Sequence, residues 1–214
     1  ILHQGACTDT TEQDCKYMLD NNFTYSKILL HYALENNVPF IYASSAAVYG
    51  CSTKFEEDIK ESEAPLNIYG SSKLMFDNYV RSLLPSVKST LVGLRYFNVY
   101  GPYEAHKGKM ASMIYQMCKQ LGSAGELKLF TGTGGYNDGE QRRDFIFVED
   151  IIKIIIFFMN NPGKNGIYNA GTGTSHSFND IANTLISLKG MGKINYVPFP
   201  SHLQGKYQSF TEAS

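Results

Sequence analysis

Pro39-Phe40-Ile41-Tyr42-Ala43-Ser44-Ser45-Ala46-Ala47-Val48-Tyr49-Gly50 is an apolar run that closes on serines and a glycine. A half-solvated strand alternates apolar with polar residues. Here the run is near-continuous, as in a strand buried on both faces of a parallel sheet. Its C-terminal tip delivers a serine hydroxyl, and open parallel sheets place their ligands at such tips.

The same logic finds a second buried strand at Thr90–Tyr96, entering a loop Phe97–Pro102. Between the two lie a charged, solvated loop Cys51–Leu66 and a helix over Ile68–Leu84 stopped by Pro85. Pro65 keeps Ala64 out of helical geometry. Ahead of the first strand, Thr8–Asn37 reads as helical, with Thr11 and Asp14 offering a cap and an acid three residues on. Asn21-Asn22 interrupts it, either as a kink or as an amide that bonds a strand or ligand. Ile1–Ala6 has the profile of a strand running into a phosphate-side loop. The alternation with short links predicts an α/β fold, a Rossmann-like doubly wound parallel sheet.

Beyond Pro102 the pattern loosens into a smaller α/β unit. A Met-rich helix is expected at Lys107–Leu121, a strand at Leu127–Phe130 and a glycine-rich loop at Thr131–Gln141. Then follow a strand Arg142–Val148, a helix Asp150–Asn160, a strand Gly166–Ala170, a helix Phe178–Leu188 and a strand Ile194–Val197. Gly132-Thr133-Gly134-Gly135 and Gly171-Thr172-Gly173 read as tight turns, since neither has the spacing of a phosphate cradle before a helix.

With 214 residues, 43% of them hydrophobic, the chain can bury a substantial core. A net charge of −1 gives no electrostatic reason for nucleic acid or an anionic membrane as partner. The longest aliphatic run, Ile151–Met159, is broken by Lys153 and too short to span a bilayer. Cys7, Cys15, Cys51 and Cys118 lack metal-ligand spacing, so no metal is expected, and they read as reduced thiols of a cytoplasmic protein. The sequence starts without methionine, no signal peptide is visible, and no Gly-x-x-Gly-x-x-Gly precedes the first helix. An internal piece of a longer chain is expected.

The chemistry centres on Tyr69 and Lys73, four apart on the Ile68–Leu84 helix and hence on one face. An ammonium there would favour the phenolate and lower the tyrosine pKa. The plainer reading is a solvated face with Lys73 paired to Asp77. Tyr103–Lys107 and Tyr115–Lys119 share the spacing but lack a preceding strand and serine.

Ser45 on a strand tip with Tyr69 and Lys73 on the next helix resembles the short-chain dehydrogenase/reductases. Gln4–Thr8, Tyr42–Gly50, Asn67–Lys73, Leu94–Pro102 and Arg143-Asp144-Phe145 resemble the extended members, the nucleotide-sugar epimerases and dehydratases. More narrowly, His106–Ser112, Pro198-Phe199-Pro200 and Gly205-Lys206-Tyr207-Gln208 are similar to the branch acting on ADP-heptose.

That resemblance implies NADP as cofactor, an ADP-heptose substrate and a homo-oligomer, a pentamer in that branch. It also implies a dinucleotide-binding domain over 1–103 and 144–176, with a substrate domain over 104–143 and 177–214. Tyr69, Lys73, Ser45 and Lys107 become the expected catalytic residues. Gln4, Gly5, Ala6, Cys7, Thr8, Asn21, Lys73, Val99 and Lys107 are expected to hold the cofactor. Asn98, Lys109, Gln116, Phe130, Thr131, Gly132, Thr133, Arg143 and Tyr207, with Ser45, are expected around the substrate. Arg143 suits a diphosphate, since its guanidinium can engage two oxygens; an ion pair with Asp144 or Glu149 is the plain alternative. A surface lysine is the plain alternative for Lys107. A UDP-hexose 4-epimerase, a 4,6-dehydratase or a non-catalytic nucleotide-binding scaffold are the competing functions.

Overall fold

The computed structural model describes residues 1–205 and 207–214, with His202 described by its backbone alone. Lys206, inside one of the stretches quoted above, is outside the described residues. The strands are β1 (Leu2–His3), β2 (Phe40–Ser45), β3 (Leu91–Tyr96), β4 (Asn98–Tyr100), β5 (Glu126–Phe130), β6 (Arg142–Phe147), β7 (Gly166–Ala170), β8 (Ser175–Ser177) and β9 (Lys193–Val197). The α-helices are α1 (Cys15–Leu19), α2 (Tyr25–Glu35), α3 (Ile68–Leu83), α4 (Met113–Ala124), α5 (Val148–Asn160) and α6 (Phe178–Lys189).

Side chains alternate across a strand, and β2 has a helical layer for each set. Phe40 and Tyr42 pack with Leu30 and Ala33 of α2 and Phe76 and Val80 of α3. Ile41 packs on the other side with Val92, Leu94 and the α5 residues Ile151 and Phe158. Four strands run parallel in the order β1-β2-β3-β7, so the doubly wound sheet read from the sequence is the one found. Gly93 lies opposite Tyr42, where an added Cβ would sit 2.4 Å from the phenol oxygen. Only glycine admits that ring.

A separate core joins α4, α6 and β5 through Met117, Leu121, Leu127, Leu129, Phe178 and Ala182, with Phe145 from β6. Here β5 pairs parallel with β9, while β6 pairs parallel with β4 and antiparallel with β8.

Some elements depart from expectation for definable reasons. The first helix starts at Cys15, not Thr8, because the Asp14 carboxylate accepts from Tyr17 N at 2.9 Å and caps it. Residues Asp20–Thr24 then widen into a π-helical turn. Asn22, 1% exposed, lies inside that turn and bonds inward, so kink and functional amide are one feature. Asn98–Tyr100, read as loop, forms β4 on the edge of β6; three residues are too few for periodicity to report. The polar Ser175-His176-Ser177 forms β8, which no apolar pattern announces. The expected helix at Lys107 is a 3₁₀ segment, Ala105–Met110, broken at Gly108 (φ 54°), and α4 begins only after Ser112 caps it.

Helix α3 sits where the chemistry needs it. Asn67 Oδ1 accepts from Gly70 N at 2.8 Å and fixes its first turn. Gly70 lets that turn press on the backbone after β2, since an added Cβ would lie 2.7 Å from Ala47 O. Tyr69 is thereby seated beside the tip of β2.

Candidate active site

Ser45 closes β2 in extended geometry, and its Oγ accepts from Ala47 N at 3.1 Å to start the turn Ala46–Val48. The same hydroxyl interacts with the half-buried Tyr69 phenol. Lys73 lies one turn on, 6% exposed, with Nζ 5.9 Å from the Tyr69 ring centre and donating to Ala43 O at 2.9 Å. The three residues therefore meet at one strand tip. Asp77 does not pair with Lys73 on a solvated face. It is fully buried and accepts from Tyr42 Oη (2.8 Å), Ser44 Oγ (2.9 Å) and Arg95 Nε (2.9 Å).

The sign of the expected tyrosine shift is corrected. Burial dominates and pushes the Tyr69 pKa above its ordinary value, the Ser45 hydroxyl offsetting part of this and Cys7 adding to it. Burial thus favours the protonated phenol. The perturbed cation is Lys73. Burial lowers its pKa to about 8, against the pull of Asp77.

That shift has a measurable sign. Between about pH 8 and the unfolded lysine value of 10.5, the unfolded chain holds a proton that the folded chain releases, so stability rises with pH. Below pH 8 the cost of burying the ammonium is present in full. Relative to Lys73→Met, the wild type should gain about 2 kcal/mol between pH 7.5 and 9.5. Urea unfolding of both proteins at the two pH values checks this, and a constant difference contradicts it.

A charge network supports the strand tip, and sequence reasoning did not find it. Arg95, fully buried on β3, bonds Asp77 through Nε and Glu63 through Nη2, with its Cζ 4.9 Å from the Tyr49 ring centre. Arg81 of α3 reaches the same Glu63. Burial is the largest single influence and opposes the charge on Arg95, but Asp77, Tyr49 and Glu63 together outweigh it and raise the guanidinium pKa. Burial likewise raises the Glu63 carboxyl, and the hydrogen bonds from Arg81 and Arg95 reverse it to a net lowering. The available signal was an arginine inside an otherwise apolar strand.

Beside the triad opens a cavity of about 950 Å³. Its wall includes Ala47, Asn67 and Ile68, which neighbour Ser45 and Tyr69 in the chain; Ser45, Tyr69 and Lys73 are not among its lining residues. Of the expected residues, Asn98, Val99, Lys107, Lys109, Phe130, Arg143 and Tyr207 line it. Arg143 is 8% exposed, its guanidinium 4.9 Å from the Tyr207 ring centre and 5.6 Å from that of Phe178, and it forms no ion pair with Asp144 or Glu149. Lys107 approaches Glu104 at 3.8 Å. The Lys109 ammonium turns to Asp9 at 3.1 Å, and Asp9 is held at about 2 chiefly by the Thr11 hydroxyl and amide.

Other expected residues fall outside the wall. Gln116 donates to Gly108 O at 2.8 Å. Thr131 O accepts from Gln141, and Gly132 N donates to Asp138 at 2.7 Å, so Thr131, Gly132 and Thr133 shape their own loop. Asn21 donates to Tyr17 O at 2.8 Å, and its neighbour Asn22 does the inward bonding. Thr10, Thr11, Gln13, Glu104, Gln141 and Gln208 line the cavity without having been expected at the site, because loops carry no periodic signal.

The residues that remain suit the nicotinamide–ribose end of a dinucleotide. The segment Gln4–Thr8 leaves the tip of β1, and Gly5 faces open space. Asn22 grips it, accepting from Cys7 N at 2.7 Å and donating to Cys7 O and Ser72 Oγ at 3.0 Å each. Gln4 Oε1 accepts from Tyr96 Oη at 2.8 Å. An ammonium has three donors, and one of those of Lys73 goes to Ala43 O, so others can meet ribose hydroxyls. Gly171–Gly173 is no phosphate cradle: the Asp144 carboxylate already accepts from Thr172 N and Gly173 N at 2.9 Å. Gly132–Gly135 likewise forms a turn. Among the described residues no cluster could hold a metal ion, and no helix is long and apolar enough to cross a membrane.

A profile of the NAD dependent epimerase/dehydratase family matches residues 1–171. ADP-L-glycero-D-manno-heptose-6-epimerase of Alkalilimnicola ehrlichii is 51% identical over 213 residues, covering 100% of this chain and 66% of that protein. The crystal structure of the Helicobacter pylori ADP-L-glycero-D-manno-heptose-6-epimerase superposes with a TM-score of 0.81 at 38% identity, covering 92% of this chain and 60% of that one. UDP-N-acetylglucosamine 4-epimerase from Methanobrevibacter ruminantium superposes at 0.86 with 24% identity over 100% of this chain and 66% of that one, a likeness of fold. The chain thus spans just under two thirds of the length of its curated relative.

Proposed function

The chain belongs to the NAD dependent epimerase/dehydratase family, and from that premise we propose that the protein interconverts ADP-D-glycero- and ADP-L-glycero-D-manno-heptose. The observation that carries the reading is one cavity lined by Lys107 and Arg143 whose wall also includes Ala47 and Ile68, chain neighbours of Ser45 and Tyr69. The 51% identity to a named heptose epimerase supports the substrate.

The carbon to be inverted is not next to a carbonyl, so its C–H is not acidic. When bound, a nicotinamide dinucleotide, which we take to be NADP, supplies a reversible hydride acceptor. The protein contributes orientation and proton handling. Ser45 hydrogen-bonds the reacting oxygen, and Tyr69 gives a proton to that oxygen or takes one from it. Lys73, with Gln4–Thr8, Asn22 and Val99, holds the ribose end. Lys107, on the cavity wall, is the second acid/base, needed because reduction occurs on the face opposite to oxidation. Arg143 binds the diphosphate, Asn98 the sugar, and the Phe130 and Tyr207 rings flank the nucleotide. The dinucleotide domain is 1–103 with 144–176, and the substrate domain 104–143 with 177–214. We place the enzyme in the cytoplasm as a homo-oligomer, five copies by resemblance, serving synthesis of a lipopolysaccharide precursor.

Side-by-side incubation of the full natural chain with ADP-heptose and UDP-galactose, followed by NMR, tests this. Turnover of ADP-heptose, strongly reduced but still measurable in Lys107→Met, is expected. Turnover of UDP-galactose alone, or full activity in Lys107→Met, supports a 4-epimerase instead.

A further inference from the structure

Lys107 rides on a loop whose shape the local chain does not hold by itself. Tyr103 adopts φ 66°, a left-handed conformation that costs a bulky residue on the order of 1 kcal/mol, and its side chain is 89% exposed, so packing does not compensate. Gly108 is also left-handed, at φ 54°. The segment from Pro102 to Ala111 is closed at its neck by one side chain. Glu104, 4% exposed, accepts from Gly101 N at 3.0 Å, Ser112 Oγ at 2.8 Å and Ser112 N at 2.7 Å. Its own carbonyl accepts from Lys107 N at 3.0 Å, and its Oε2 lies 3.8 Å from the Lys107 ammonium. Burial alone would raise the Glu104 carboxyl; the Ser112 and Gly101 hydrogen bonds keep it ionised, with Lys107 adding a smaller pull.

We propose that Glu104 is the positioning residue for Lys107: one carboxylate staples the two ends of the loop and points the ammonium along the cavity wall. The inference rests on Lys107 as the second acid/base. Glutamine at 104 keeps the size but cannot accept three hydrogen bonds and attract a cation with the same two oxygens.

The test compares Glu104→Gln in the full natural chain with the same change in a Lys107→Met background. Alone, it should lower kcat roughly 30- to 100-fold, the scale of a misplaced catalytic group, with KM within about twofold. In the Lys107→Met background it should add no further loss, because the residue it positions is gone. Equal losses in both backgrounds would show that Glu104 serves the fold generally and overturn the proposal. A second readout does not depend on turnover. After reductive ¹³C-methylation of lysines, the Lys107 resonance, assigned by its absence in Lys107→Met, should shift in Glu104→Gln; an unmoved resonance overturns the proposal. Should the glutamine variant not fold, Glu104→Asp, which keeps the charge but shortens the reach, is read the same way. Failure of the wild type to turn over ADP-heptose defeats the substrate reading, while the lysine resonance still decides the role of Glu104.

Discussion

Tyr69→Phe should lower turnover of the full natural chain by about a thousandfold while leaving KM and the melting temperature near their wild-type values. The substitution deletes one oxygen. The ring stays, so the packing of α3 against the turn after Ser45 is kept. What goes is the one phenol beside the Ser45 hydroxyl, whose proton burial retains near neutral pH. Ser45→Ala should cost less, since it removes a hydrogen bond to the reacting oxygen and leaves the proton donor in place. Stopped-flow and steady-state rates on the same preparations check both. If Tyr69→Phe keeps more than about a tenth of wild-type turnover, the phenol is not the proton-transfer group.

The largest expected effect on stability lies at Arg95. Replacing it by methionine leaves the Asp77 carboxylate, fully buried, with only the Tyr42 and Ser44 hydroxyls, and leaves Glu63 with Arg81 alone. Breaking a buried pair by removing one partner costs about 3–5 kcal/mol, or roughly 10 °C in melting temperature for a chain of this size. The double variant Arg95→Met with Asp77→Leu should recover part of that loss, because no charge is then stranded. Calorimetry of the single and double variants decides. A double variant less stable than the sum of its singles would mean that the network's worth lies in its geometry and not in mutual neutralisation.

What the sequence makes legible is what leaves a periodic trace. Phe40–Ser45 and Leu91–Tyr96 are apolar on both faces, and the structure buries both faces, against α2 and α3 on one side and α5 on the other. Tyr69 and Lys73 are related by helical spacing, and their helix is present. Long-range pairings leave no such trace. Asn98–Tyr100 becomes a strand only because β6 offers an edge, and Ser175–Ser177 only because Arg142 and Arg143 lie opposite it. The direction of the tyrosine shift differs from expectation for a related reason. Spacing shows that a cation is near, but not that its ammonium sits almost 6 Å from the ring, with burial the stronger influence. Arg95 shows the same limit: its charge is visible in the strand, but its partners lie 18 and 32 residues away. Glu104 left no periodic trace at all, because a staple is defined by the two loop ends it joins.

Central to the proposed mechanism is a hydride that leaves a carbon and returns to that same carbon, with the protein moving only the hydroxyl proton. Running the epimerisation of ADP-heptose by the full natural chain in D₂O and following the inverted position by NMR addresses this directly. The prediction is a product that carries protium at that carbon through complete equilibration. Deuterium at that position would mean that the carbon was deprotonated and reprotonated from solvent, and the roles proposed for Tyr69, Lys73 and Lys107 would then be wrong.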